Sequence, residues 1–236
     1  MPRALAIAAL FLLASCEPNG SGRVDPAHYD SYFLWAGVDP PPYLKRARSL
    51  YLLAGEVRAG GVPRLIPLRA TPQGAKPALW LVVRAERLDW DAPLHAQIER
   101  ALDRWSAAGN QVEGLQVDFD ARTRGLERYA AFLAALRRRL PARYKLSATG
   151  LMDWGANGDP AALRSLVGVV DEVVVQTYQG RTTIPGYEDY FERLARLPVP
   201  HRVALVEGGE WTPPPALARD PQFRGYVVFL LAPKRP

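Results

Sequence analysis

The chain has 236 residues, 48% of them hydrophobic and 23% charged, with 30 Lys+Arg against 24 Asp+Glu for a formal net charge of +6. That apolar fraction excludes a mainly disordered chain, and the length accommodates one or two domains with a sizeable core. A single cysteine excludes a disulfide scaffold, while 19 Gly and 22 Pro forecast many turns and irregular connections.

A positive balance raises nucleic acid as a partner. The basic residues are nearly all arginine, with Lys45, Lys76, Lys145 and Lys234 the only lysines, and they are scattered apart from Arg137, Arg138 and Arg139. That run closes an apolar helical pattern just before Leu140-Pro141, where cations suit the negative end of the helix dipole. No RNP, zinc-finger or glycine-rich phosphate motif accompanies it, so no nucleic-acid partner is expected. Acidic glycan or anionic lipid fits the charge better.

At the N-terminus, Met1–Ser15 carries one charge, Arg3, and an apolar run from Ala4 to Leu13. Ten apolar residues are too few to span a bilayer and suit a signal-peptide core. The run ends in Leu13-Ala14-Ser15-Cys16, which resembles a bacterial lipobox, so residues 1–15 are expected to be removed and Cys16 lipidated. Glu17 stands where the resemblance would place an inner-membrane retention aspartate, which implies an outer-membrane anchor in the cell envelope. Glu17–Asp30 is rich in Gly, Pro and Ser and lacks apolar periodicity, so residues 16–30 read as a flexible tether.

Residues 31–236 form one domain. Eight β-rich runs recur: Ser31–Val38, Ser49–Val57, Ala78–Ala85, Gly114–Ala121, Lys145–Leu151, Glu172–Tyr178, Arg202–Val206 and Gly225–Leu231. Helical spacing marks Asp91–Ala108, Leu126–Leu140, Pro160–Val167 and Tyr187–Leu197 between them. Strands alternating with helices imply a parallel sheet, and eight of them imply an α/β fold of the (β/α)8 TIM-like barrel type. The proline-rich connections after strands 1, 2 and 7 predict reduced helices there, and Gly60–Pro77 reads as loop with room for one short strand. An open doubly wound sheet is the alternative.

The segment Glu113-Gly-Leu-Gln-Val-Asp-Phe-Asp-Ala121 carries polar residues where a barrel interior is usually apolar. Alternation places Leu115, Val117 and Phe119 on one face and Gln116, Asp118 and Asp120 on the other, pointing inward. Carboxylates at i and i+2 lie about 7 Å apart along a strand, so one pKa is expected to rise, as a general acid requires. Asp120 lies nearest the C-terminal mouth, where barrel active sites are found. Two other readings stay open: an ion pair with Arg84 on the preceding strand, or a divalent-cation site on the two aspartates.

That segment resembles the fourth-strand motif D-G-x-D-x-D-x-E of chitinase-type glycoside hydrolases. The resemblance puts Asp118 on the middle helper aspartate, Asp120 on the catalytic acid and Gln116 on the first strand aspartate. Val175-Gln176-Thr177-Tyr178 is similar to the same family's Met-x-Tyr strand, which implies that Tyr178, with Gln176, orients the substrate. Val227-Val228-Phe229-Leu230 stands where that family has a tryptophan. LQVDFDA, the helix ending RRRLP, LSATGLMDW and VDEVVVQTYQG together resemble a bacterial family described as domain of unknown function number 3142, a barrel relative of glycoside hydrolases.

Further candidates at the mouth are Asp153 and Trp154 after the fifth strand and Glu207, Glu210 and Trp211 after the seventh. The tryptophans are expected to stack on sugar, and Glu207 to supply a second carboxylate. The expected partner is a polysaccharide or oligosaccharide, bound or hydrolysed by a monomer with no cofactor and no metal. A non-catalytic glycan- or partner-binding barrel is the alternative.

Overall fold

The computed structural model describes residues 22–35, 37–194 and 196–232. The expected signal peptide, Cys16 and the first part of the expected tether lie outside the described residues.

Eight parallel strands form the sheet: β1 (Ser31–Leu34), β2 (Ser49–Val57), β3 (Ala78–Ala85), β4 (Val112–Asp118), β5 (Lys145–Leu151), β6 (Glu172–Gln176), β7 (His201–Val206) and β8 (Phe223–Phe229). Each pairs with its neighbour in chain order. Closure decides between the two expected folds, because β1 pairs with β2 through Tyr32↔Leu50 and with β8 through Phe33↔Phe229. A closed ring of this kind has no free edge, so the open sheet is excluded.

The helices are few: α1 (Ala92–Ala107), α2 (Leu126–Arg139), α3 (Trp154–Asn157), α4 (Pro160–Arg164) and α5 (Glu188–Leu194). Helix α1 starts where the Asp91 carboxylate accepts the Leu94 amide at 2.9 Å and ends before Gly109, whose φ is 78°. Its buried stripe is Leu94, Ile98, Ala101, Leu102 and Trp105. Arg137, in the last turn of α2, donates to the carbonyls of Tyr144 and Leu140 at 3.0 Å each, a structural use of the arginine run. Among the described residues the β1–β2 connection holds the 3-10 turn Pro42–Arg46, β2–β3 the short antiparallel strand Ile66–Pro67, and β7–β8 the 3-10 turn Leu217–Arg219.

The expected tether is shorter than its composition suggested. Gly22–Arg23 pairs antiparallel with Glu210–Trp211 after β7, and Val24 and Pro26 are buried. The Val24 amide donates to the Gly209 carbonyl and the Gly208 amide to that of Val24, both at 2.8 Å, so residues 22–30 belong to the barrel domain.

Apolar side chains sort into two layers. The large one lies between strands and helices and includes Leu115 and Val117. The smaller one fills the barrel bore and includes Phe33, Tyr51, Leu53, Trp80 and Val82, with Tyr51 and Trp80 stacked at 5.7 Å and 4°. Toward the N-terminal end of the bore lies a polar knot around Glu172. Its Oε1 accepts from Tyr51 Oη at 2.6 Å and Ser147 Oγ at 3.1 Å, and its Oε2 from Arg202 Nε at 3.1 Å. This knot closes the barrel beneath the mouth.

Candidate functional site

At the C-terminal ends of the strands a cavity of about 340 Å³ opens. Phe33 and Trp35 reach it from β1, Arg84 from β3, Asp118 and Asp120 from the end of β4, and Thr149 from β5. Gln176 and Tyr178 come from β6 and its extension, and Phe229 from β8. Two of these positions depend on local bonds. The Phe119 amide donates to Thr149 Oγ1 at 3.1 Å, which carries the strand direction past Asp118, so that Asp118 and Asp120 both line the cavity. Gln176 Nε2 donates to the Tyr178 carbonyl at 2.8 Å and fixes the turn that presents the phenol.

Aromatic rings make one wall. Tyr178 stacks on Phe229 at 5.4 Å, and Trp35 meets the same ring edge-on at 5.5 Å. Arg84 lies over the Trp35 ring at 5.3 Å. Trp35, Thr149, Phe33 and Phe229 are among the cavity residues that the sequence reading passed over. The signal for Trp35 was present: it follows Phe33 by two positions at the C-terminal end of the first strand, on the inward alternation.

Burial pushes the Asp118 carboxyl up to about 6. Arg84 and the Thr149 hydroxyl pull it down, while the charge of Asp120 pushes it further up. The raised value falls on Asp118, the deeper carboxyl, whereas Asp120 is exposed at the rim. The Tyr178 hydroxyl is held well above its ordinary value, by burial first and then by the charges of Asp118 and Asp120. No Arg84 ion pair to either aspartate forms among the described residues, and no cluster of three or more His, Cys, Asp or Glu side chains suited to a metal ion occurs among them.

Six expected site residues stand elsewhere. Gln116 is fully buried below the cavity, where Ser147, its register partner on β5, accepts its amide at 2.9 Å and ties it to the Glu172 knot. Trp154 is fully buried on the outer side of the barrel, with its indole N–H on the Ala121 carbonyl at 2.9 Å. Gly150 makes room for that ring, since a Cβ there would meet Trp154 at 3.1 Å and Val173 at 2.8 Å. Asp153 precedes this packed turn, accepts the Asn157 amide at 2.8 Å through its carbonyl and does not line the cavity. Trp211 is buried against Tyr187 at 4.6 Å. Glu207 accepts the Leu231 amide at 2.8 Å and lines a separate cleft with Arg23 and Glu210.

Residues 80–192 match the model of the family described as Domain of unknown function (DUF3142). The matched segment runs from β3 into α5 and contributes Arg84, Asp118, Asp120, Gln176 and Tyr178 to the cavity. Among solved structures, the chain is similar to the Bacillus cereus spore cortex-lytic enzyme SleL, with TM-score 0.53 and 15% identity over 80% of this chain and 52% of that one. The chain thus spans about half the length of that enzyme. It is also similar to the chitinase domain of the Clostridium difficile spore coat protein CotE, with TM-score 0.50 and 13% identity over 87% and 71% of the two chains. A third is the xylanase–α-amylase inhibitor protein XAIP-I, in complex with trehalose, with TM-score 0.54 and 11% identity over 84% and 92%. No curated protein matches the chain. At these identities the shared property is the fold, a TIM barrel.

Proposed function

We propose that this chain binds a polysaccharide or oligosaccharide at the C-terminal mouth of its barrel and hydrolyses it. One observation carries the reading: Asp118 and Asp120 open from a single strand end into a cavity walled by Trp35, Tyr178 and Phe229. Aromatic faces take the apolar side of a sugar ring, and Gln176, Arg84 and Thr149 offer polar atoms for its hydroxyls. Asp118 keeps its proton up to a pH of about 6 and is the acid of the pair, with Asp120 as the exposed carboxylate. That assignment reverses the order the chitinase-type motif implies.

The test is sugar release from a panel of β-glycans and chito-oligosaccharides by wild type, Asp118→Asn and Asp120→Asn. Loss of release in both variants is expected, and equal turnover by all three overturns the catalytic assignment.

The second reading, a glycan-binding barrel without catalysis, is favoured by Glu207. With that carboxylate committed to the Leu231 amide, both carboxylates lining the cavity come from one strand, not from opposite sides of it. Oligosaccharide binding with no release by wild type supports this reading over the first.

The same proposal places the protein in the bacterial envelope as a monomer, held in the outer membrane by lipid on Cys16. Among the described residues no helix is long and apolar enough to cross a membrane. Cys16→Ser is expected to move the protein to the soluble fraction, and unchanged membrane fractionation refutes the anchor.

A further inference from the structure

Beside the mouth lies a larger cleft of about 840 Å³, and Asp120 lines both. Its apolar floor includes Phe119 and Phe132, and its walls carry Arg87, Arg122 and Arg128. The charges there are not equally free. Arg87 forks onto Asp89 and donates to the carbonyls of Ala59 and Gly61 at 3.1 and 2.8 Å. The Glu86 carboxylate accepts the Ala59 amide at 2.9 Å. These groups hold the loop after β3 in place.

Arg122 and Arg128 are exposed, and neither makes a side-chain hydrogen bond or ion pair among the described residues. One follows β4 and the other sits in the first turn of α2, so two different elements bring two uncommitted guanidiniums to one cleft. Apart from Asp120 at the junction, the acidic groups lining the cleft are the ones already engaged. The cleft lining is balanced in formal charge, Arg87, Arg122 and Arg128 against Glu86, Asp89 and Asp120, but it leaves one uncommitted pair of guanidiniums, Arg122 and Arg128, beside the mouth. A neutral sugar chain gains little from it. An oxyanion on the chain would gain charge-assisted hydrogen bonds in the planar geometry that guanidinium favours.

We propose that the ligand is an anionic glycan, with one saccharide in the mouth and the carboxylate or sulfate of a neighbouring saccharide held by Arg122 and Arg128. This rests on the reading of the mouth as a glycan site.

The test uses the full chain and calorimetric titration with three oligosaccharides of matched length: neutral, uronate-bearing and sulfated. At low salt at least one anionic ligand is expected to bind about tenfold or more tightly than the neutral one, the size of one charge-assisted bond. Sodium chloride should erode that preference. In the Arg122→Gln/Arg128→Gln double variant the anionic and neutral ligands should bind alike. Arg138→Gln, an exposed arginine elsewhere on α2, should keep the preference. Which anionic ligand gains tells carboxylate from sulfate. Equal affinity of wild type for all three, or a preference that survives the double variant, overturns the arginine cleft and leaves the mouth standing. Failure of all three to bind overturns the mouth reading itself.

Discussion

Arg84 and Asp118 are register partners on adjacent barrel strands, yet the guanidinium lies 5.3 Å over the ring of Trp35 and forms no ion pair with the carboxylate. Its positive charge still lowers the Asp118 pKa, against the larger effect of burial. Arg84→Gln should therefore raise the Asp118 pKa above its value of about 6. Carbon-13 NMR titration of the carboxyl group measures this, and an unchanged or lower midpoint would show that Arg84 does not act on it.

A raised folded-state pKa also has a stability cost with a definite sign. Asp118 moves from 3.8 unfolded to about 6 folded, so the folded state binds the proton more tightly in that window. Its contribution is nil below pH 3.8, becomes increasingly destabilising as pH rises from 3.8 to about 6, and stays constant above that. Asp118→Asn should thus stabilise the fold by about 1–2 kcal/mol at pH 8 and have almost no effect at pH 3. Urea unfolding at the two pH values checks it; a loss of stability at pH 8 would contradict the assignment.

The two classes of tryptophan should separate cleanly. Trp35→Ala is expected to weaken oligosaccharide binding by about tenfold with a small change in Tm, since the ring is only partly buried at the mouth. Trp154→Ala should cost about 3–5 kcal/mol of stability, because the ring is fully buried and its N–H is bonded, while the folded fraction keeps its affinity. Thermal melts beside titrations read both effects, and the opposite pattern would reverse the two roles.

Glu172→Gln should destabilise the barrel by about 2–4 kcal/mol, as it leaves Arg202 without its charge partner and weakens the bond from Tyr51. Chemical denaturation measures the loss. A neutral effect would mean that solvent reaching Arg202 replaces the partner.

How far the sequence alone reaches can be seen strand by strand. The limits of Ser49–Val57 and Ala78–Ala85 were readable to the residue because near-continuous apolar runs met Pro or charge at both ends. Alternation also placed Asp118 and Asp120 on the inward face. It could not reveal that Gln116, one step deeper on that face, is taken up by Ser147, since cross-strand partners depend on register. Nor could it tell Trp35 at the rim from Trp154 in the wall. Both stand just beyond a strand end, and only the bare α-carbon of Gly150 beside Trp154 draws one of them under the helices. Glu207 was misplaced for a similar reason, as its partner is a backbone amide distant in sequence.

The clamp of Gly22–Arg23 onto Glu210–Trp211 sets a leash length. These residues lie just past the C-terminal end of β7, on the same side of the barrel as the mouth. The segment 16–21 can stretch to at most about 20 Å when fully extended. With the lipid proposed on Cys16, the mouth would hang by its own rim within that radius of the bilayer. A protein so tethered would meet only the glycan proposed as its ligand that lies in the first layer beside its membrane, and material farther out would be beyond its reach.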